Sequence, residues 1–242
     1  MPISISDFLK IPLITEFDLD QKGRFVVYSS NETGISHLYV LSTKLGSKPR
    51  QITSGKDPVL AGVLSPRGDK VVYPQDKDGN EIHHLYLLPV EVGEAKQITK
   101  IPYSTMGGDW HPNGKEVTRA FASMKSCGLE TVNLKTGECF MLKEPTLPLM
   151  SVQYSHDGKW IACTVFAGFN NSQVFIVNRN DPEDTIIYSV KDDSREGFPT
   201  WSPDDKKLAF ISDAKGRGQV VIQEFQGEER TFLKLEKDEE VP

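Results

Sequence analysis

The chain has 242 residues, 38% apolar and 26% charged, a composition that fits a globular protein with a sizeable core. Its net charge of −6, with no Lys/Arg block, argues against nucleic acid held through its phosphates. No apolar run is long enough to cross a bilayer as a helix, and MPISISDFLK lacks the basic-then-apolar order of a signal peptide.

Residues 1–14 read as a leader. Ser6 could cap a short helical turn over DFLK, which Pro12 would stop. A repeat begins after it. Five turns align on one position: LDQKGRFVVY at Gly23, LSPRGDKVVY at Gly68, WHPNGKEVTR at Gly114, YSHDGKWIAC at Gly158 and WSPDDKKLAF at Asp205. The intervals are 45, 46, 44 and 47 residues, a period that signals a repeat architecture.

Each copy predicts four strands. The first ends on a bulky residue: Leu19, Leu64, Trp110, Tyr154 or Trp201. A tight turn follows, with Pro66, Pro112 or Pro203 at its second place in three copies. The second strand is apolar or alternating, as in RFVVY and KLAF. The third reads HLYVLS, HLYLLP, LETVNL, QVFIVN and QVVIQE, and the fourth RQIT, KQIT, CFMLK, TIIYS and TFLKL. Four short strands per repeat, with no helical stretch between them, predict one propeller blade each. The expected fold is an all-β propeller of five four-stranded antiparallel blades, part of a larger ring, over 15–56, 57–101, 102–146, 147–190 and 191–238. The bulky residues before the turns should pack between blades, so Trp110 and Trp201 are expected in the core.

Chemistry-bearing residues are few. Cys127, Cys139 and Cys163 are odd in number and have no C-x-x-C spacing, so they read as reduced thiols of a cytoplasmic protein. His37 and His84 recur at one register before Leu-Tyr, which points to a structural role, while His111 and His156 fall in exposed turns. No H-E-x-x-H or clustered His/Cys spacing supports a metal, and no phosphate loop supports a nucleotide cofactor. Asn31 and Asn170 fit a glycosylation pattern that matters only in a secreted protein. Asp18, Asp109 and Glu196 lie near inner strands, and a glycosidase would need two such carboxyls across a pocket. Asp76-Lys77-Asp78-Gly79-Asn80-Glu81 lacks the full calcium loop and reads as an acidic hairpin.

The W-S-P-D-G-like turns and Leu-Tyr third strands resemble the propeller repeats of TolB and of the prolyl oligopeptidase family. DFLKIPLITEFDL and YPQDKDGNEIHHLYLL are most similar to its acylaminoacyl-peptidase-like members. That resemblance implies a non-catalytic propeller that gates peptides into an α/β-hydrolase domain carrying a Ser-Asp-His triad. It implies a binding role for Glu81, with Asp78 beside it, toward a basic group of the hydrolase domain or the peptide. No G-x-S-x-G elbow occurs in the sequence, so no catalytic residue carries over. The alternatives are a stand-alone TolB-like protein-binding module and a five-bladed glycosidase. Blade five keeps its apolar positions at Trp201, Leu208, Phe210, Val220 and Ile222, so a strained closed ring or self-association through blades one and five is expected.

Overall fold

The computed structural model describes residues 11–100, 102–144, 147–168 and 170–233. The helical turn expected over DFLK lies outside them.

Twenty strands form five antiparallel sheets, each with its four strands in chain order. Blade 1 comprises β1 (Ile14–Leu19), β2 (Phe25–Ser30), β3 (His37–Ser42) and β4 (Arg50–Gln51). Blade 2 comprises β5 (Val63–Leu64), β6 (Lys70–Gln75), β7 (His84–Pro89) and β8 (Lys96–Gln97). Blade 3 comprises β9 (Ser104–Trp110), β10 (Glu116–Ala122), β11 (Cys127–Asn133) and β12 (Cys139–Lys143). Blade 4 comprises β13 (Leu149–Tyr154), β14 (Trp160–Gly168), β15 (Asn171–Asn178) and β16 (Thr185–Tyr188). Blade 5 comprises β17 (Glu196–Trp201), β18 (Lys207–Ser212), β19 (Gln219–Glu224) and β20 (Arg230–Phe232). The described residues contain no helix. The structure is the five-bladed β-propeller that the repeat predicts.

The turn between the first two strands of each blade is the same object five times. The aligned residue donates its N–H to the carbonyl three residues back, from Gly23 to Asp20 at 2.8 Å through to Asp205 to Ser202 at 2.9 Å. It then sits in the left-handed region, with φ of 62° at Gly23, 67° at Gly68, 68° at Gly114, 75° at Gly158 and 56° at Asp205. Glycine meets that demand without a Cβ penalty. Two glycines are also crowded by the preceding blade: a Cβ on Gly158 would lie 2.7 Å from the His111 ring, and one on Gly68 would lie 3.0 Å from Asp20. Asp205 fills the same space usefully. Its carboxylate accepts the N–H of His156 and of Asp157, both at 2.9 Å, and meets His156 Nδ1 at 2.7 Å. A fixed left-handed turn residue thus becomes a tie between blades 4 and 5.

Apolar clusters fill each junction. Val27, Leu38 and Val40 of blade 1 meet Leu64, Val71 and Tyr73 of blade 2. Val72 and Leu85 meet Trp110 and Val117; Ala120 and Leu129 meet Tyr154, Ile161 and Cys163; Ala162, Val174 and Ile176 meet Trp201, Leu208 and Phe210. Both tryptophans are buried, as expected. Their indoles also donate across the junctions, Trp110 Nε1 to the Val63 carbonyl at 3.0 Å and Trp201 Nε1 to the Gln153 carbonyl at 3.2 Å. His111 differs from the expectation of an exposed turn residue. It is half-buried, tilted against the Tyr154 ring at 5.1 Å, because the turn of blade 3 leans on blade 4.

Candidate functional site

The first strand of every blade lines a common axis, and two cavities open along it. The first, about 290 Å³, lies by the tight turns and is lined by Asp18, Leu64, Asp109, Trp110, Tyr154, His156 and Trp201 among others. Its two acids are occupied by backbone. Asp109 accepts Tyr154 N–H at 2.8 Å on one oxygen and its neighbour Trp110 N–H at 2.7 Å on the other. Asp18 accepts Leu64 N–H at 2.7 Å. Desolvation pushes the Asp109 carboxyl up to about 7, with the Asp18 charge adding to it, and burial raises Asp18 as well. These are inter-blade clasps: Asp18 joins blade 1 to blade 2, and Asp109 joins blade 3 to blade 4.

The second cavity, about 690 Å³, is of the size that small-molecule and peptide sites occupy. One residue of each blade, seven positions before its aligned turn residue, lines it: Glu16, Ala61, Gly107, Ser151 and Phe198. Ser151 and Phe198 hold left-handed φ of 50° and 54°, at irregularities in strand register that interrupt the pairing of β13 and β17. Phe198 is strongly exposed there, and its N–H is fixed on Thr164 Oγ1 at 3.1 Å. Met106, Met150, Phe166 and Ile211 make the wall largely apolar.

Polar groups gather on the blade 5 side. Arg195 Nε pairs with Asp213 Oδ2 at 2.7 Å while its backbone N–H meets Oδ1 at 2.8 Å, and these bonds hold the Asp213 carboxyl below the usual carboxylate range. Glu196 is fully buried, and its Oε1 accepts the Ser194 and Ser212 hydroxyls at 2.6 and 2.8 Å. The three acids singled out in the sequence are therefore split: Asp18 and Asp109 border the first cavity and Glu196 the second.

Glu81 and Asp78 line neither cavity. They sit on the β6–β7 loop, where Asp78 ion-pairs with Lys56 and the Glu81 N–H meets Asp76 Oδ2 at 3.1 Å. His37 and His84 make matching bonds, Nδ1 to Thr53 Oγ1 at 3.4 Å and Nδ1 to Thr99 Oγ1 at 3.3 Å. Their shared register is structural. Among the described residues no disulfide joins the cysteines, and burial pushes the Cys163 thiol far up. Among the described residues no three His, Cys, Asp or Glu side chains converge as a metal site, and no helix is long and apolar enough to cross a membrane.

No protein-family model matches the chain. A curated relative, an uncharacterized peptidase, YuxL, of Bacillus subtilis (strain 168), is 26% identical over 221 residues, which is 86% of this chain and 31% of the relative. The chain thus spans about a third of that relative's length. A putative TolB from Agrobacterium tumefaciens superposes with a TM-score of 0.73 at 20% identity, covering 91% of this chain and 80% of that one. The fold is a TolB-type propeller. TolB from Acinetobacter baumannii gives a TM-score of 0.72 at 20% identity, covering 90% of this chain and 53% of that one. A solved prolyl endopeptidase gives 0.71 at 14% identity, covering 95% of this chain but 37% of its own. The resemblance read from the turns and third strands thus holds for the propeller, and the curated similarity runs to a peptidase.

Proposed function

We propose that the chain is the non-catalytic propeller of a cytoplasmic, acylaminoacyl-peptidase-like serine peptidase of the prolyl oligopeptidase family. In this reading it filters peptides by size on their way to an α/β-hydrolase domain. The observation that carries the reading is the peptidase relative, matched across 86% of this chain but only 31% of its own length. Two thirds of such a protein remain for chemistry that the propeller does not perform. The axial cavity of about 690 Å³ supports the reading, since that volume suits a short peptide segment and is far smaller than a folded domain. Glu81 and Asp78 would meet a basic group of the hydrolase domain or of the peptide.

The test is to read the gene beyond codon 242 and assay the whole product. A downstream G-x-S-x-G with later Asp and His, and turnover of short acyl-peptides but not of folded proteins, is the expected result. A stop codon directly after Pro242 overturns it. The second reading, a stand-alone protein-binding propeller, is favoured by one observation: the Agrobacterium TolB is covered over 80% of its own length.

A further inference from the structure

Glu196 stands where its counterparts in three other blades are neutral. Nine positions before the aligned turn residue, blades 2, 3 and 4 carry Val59, Thr105 and Leu149, each buried in the junction with the preceding blade. Blade 5 carries a carboxylate at that register, 0% exposed, in its junction with blade 4. Its Oε1 accepts the hydroxyls of Ser194 and Ser212, and both donors are neutral. Its Oε2 is buried and has no hydrogen-bond partner. Among the described residues no ion pair involves Glu196. A carboxylate taken out of water forfeits its hydration, so buried ones are ordinarily paired with a cation. Here that partner is missing.

The second cavity reaches this recess. Thr164, Ser172, Glu196 and Gly197 line it from both sides of the junction. The wall beyond is apolar at Met106, Met150 and Phe166. The charged residues that line the cavity are three acids, Glu16, Glu196 and Asp213, against one base, Arg195. Asp213 already holds Arg195 through its side chain and its backbone N–H, so the surplus is negative. An apolar wall, a negative surplus and one unfilled acceptor in a buried recess select a cation carried on an apolar stem.

We propose that the recess at Glu196 binds the side-chain ammonium of a peptide lysine, with the flexible stem against the apolar wall. One free oxygen suits a point-charge ammonium better than a guanidinium, whose planar fork is filled by two acceptors. The depth of Glu196 disfavours a peptide amino terminus, which would bring its own Cα and side chain into the recess. Ser172, whose Oγ donates to the Glu196 carbonyl at 2.8 Å, keeps acceptor capacity for the remaining N–H groups of the ammonium. The site needs no hydrolase domain. Its binding is read on the 242-residue chain itself, so its failure and that of the peptidase reading are separate results.

Calorimetric titration with short peptides blocked at both ends tests the proposal. The probe is a lysine flanked by leucines, compared with its arginine and norleucine analogues and with a norleucine peptide whose amino terminus is free. Norleucine keeps the stem and lacks the ammonium. The lysine peptide should bind the wild type roughly tenfold or more tightly than each of the others, the effect of one hydrogen bond between charged groups. Glu196→Gln should erase that difference and leave the affinity of the blocked norleucine peptide unchanged, with circular dichroism confirming the fold. Glu81→Gln should retain the difference. A crystal of the wild type with the lysine peptide needs no variant and should place Nζ within hydrogen-bond distance of Oε2. Equal binding of the lysine and norleucine peptides overturns the proposal, and so does an arginine or free-amino-terminus peptide that matches lysine. A difference that survives in Glu196→Gln, or is lost in Glu81→Gln, overturns it too, as does a crystal in which only an ordered water meets Oε2.

Discussion

Asp109 of blade 3 accepts the backbone N–H of Tyr154 in blade 4 at 2.8 Å, from a half-buried place on the wall of the first cavity. Such a clasp is better neutral than charged. Desolvation, the largest cause, lifts its carboxyl from 3.8 to about 7. The folded state therefore holds a proton that the unfolded chain releases above about pH 4. A group raised in this way contributes stability that is intact below its unfolded value and is lost as pH climbs through its folded value. The loss spans roughly pH 4 to 7 and is on the order of 4 kcal/mol for a shift of this size. Asp18, also raised by burial, acts in the same direction. Melting temperature should fall between pH 5 and pH 8 in the wild type. In Asp109→Asn the starting stability is lower, because one acceptor becomes a donor, but the slope should be much flatter. Equal slopes in the two proteins would remove Asp109 as the cause.

The tryptophans test the same junctions by packing. Trp201 is buried, touches Phe225 edge-on at 4.9 Å and donates to the Gln153 carbonyl. Trp201→Phe keeps most of the volume and strands that carbonyl, at about 1–3 kcal/mol. Trp201→Ala should cost about 3–5 kcal/mol. Leu19→Ala, at the same register of blade 1 but 48% exposed, should cost under about 1 kcal/mol. Urea titration gives all three. A Leu19→Ala loss comparable to that of Trp201→Ala would contradict the exposure of Leu19.

Arg119 and Glu130 form a buried ion pair within blade 3. They face each other across β10 and β11, nearly inaccessible, with Arg119 Nε and Nη2 on Glu130 Oε2 at 2.8 and 2.7 Å. Blades 1 and 2 place stacked tyrosines at this register, Tyr28–Tyr39 and Tyr73–Tyr86. Removing one ion leaves the other buried and unpaired, so Arg119→Met should cost about 3–5 kcal/mol. The double change Arg119→Tyr with Glu130→Tyr should cost less than either single change. Additive losses in chemical denaturation would contradict that.

These contrasts show what the sequence could and could not disclose. The blades were legible because a left-handed turn demands glycine or a tolerant Asp, and the demand recurs five times in register. Burial of Trp110 and Trp201 followed from their place just before that turn. The clasps were not legible. Asp18 and Asp109 look like any acids on an inner strand until the next blade brings the Leu64 and Tyr154 amides to them. Nor could pattern alone show that the charges of VTRAF and LETVN pair in a buried site. Nothing in the sequence marks the Ser151 and Phe198 irregularities, since neither positive φ falls on a glycine. Half-burial of His111 depends on the neighbouring blade's turn, which spacing along the chain does not report.

The β6–β7 loop gives the last prediction. Asp78, Gly79 and Glu81 hold left-handed φ of 58°, 69° and 59°, and two of the three are non-glycine residues, which seldom adopt that region. Asp76 organises the loop from within, nearly buried and accepting the Glu81 N–H. The Glu81 side chain, by contrast, lies on an exposed residue, so its charge contributes little to folding. Glu81→Gln should leave stability within about 0.5 kcal/mol. Glu81→Gly should also be close to neutral, because relief of about 1 kcal/mol of left-handed strain offsets a similar gain of freedom in the unfolded chain. Asp76→Ala should cost about 1–3 kcal/mol by leaving the Glu81 amide without its acceptor. If Glu81 serves a peptidase cleft, Glu81→Gln will alter peptide turnover in the full-length enzyme with melting unchanged. A loss of several kcal/mol from Glu81→Gln in the propeller alone would place its carboxylate inside the loop network and remove the binding role.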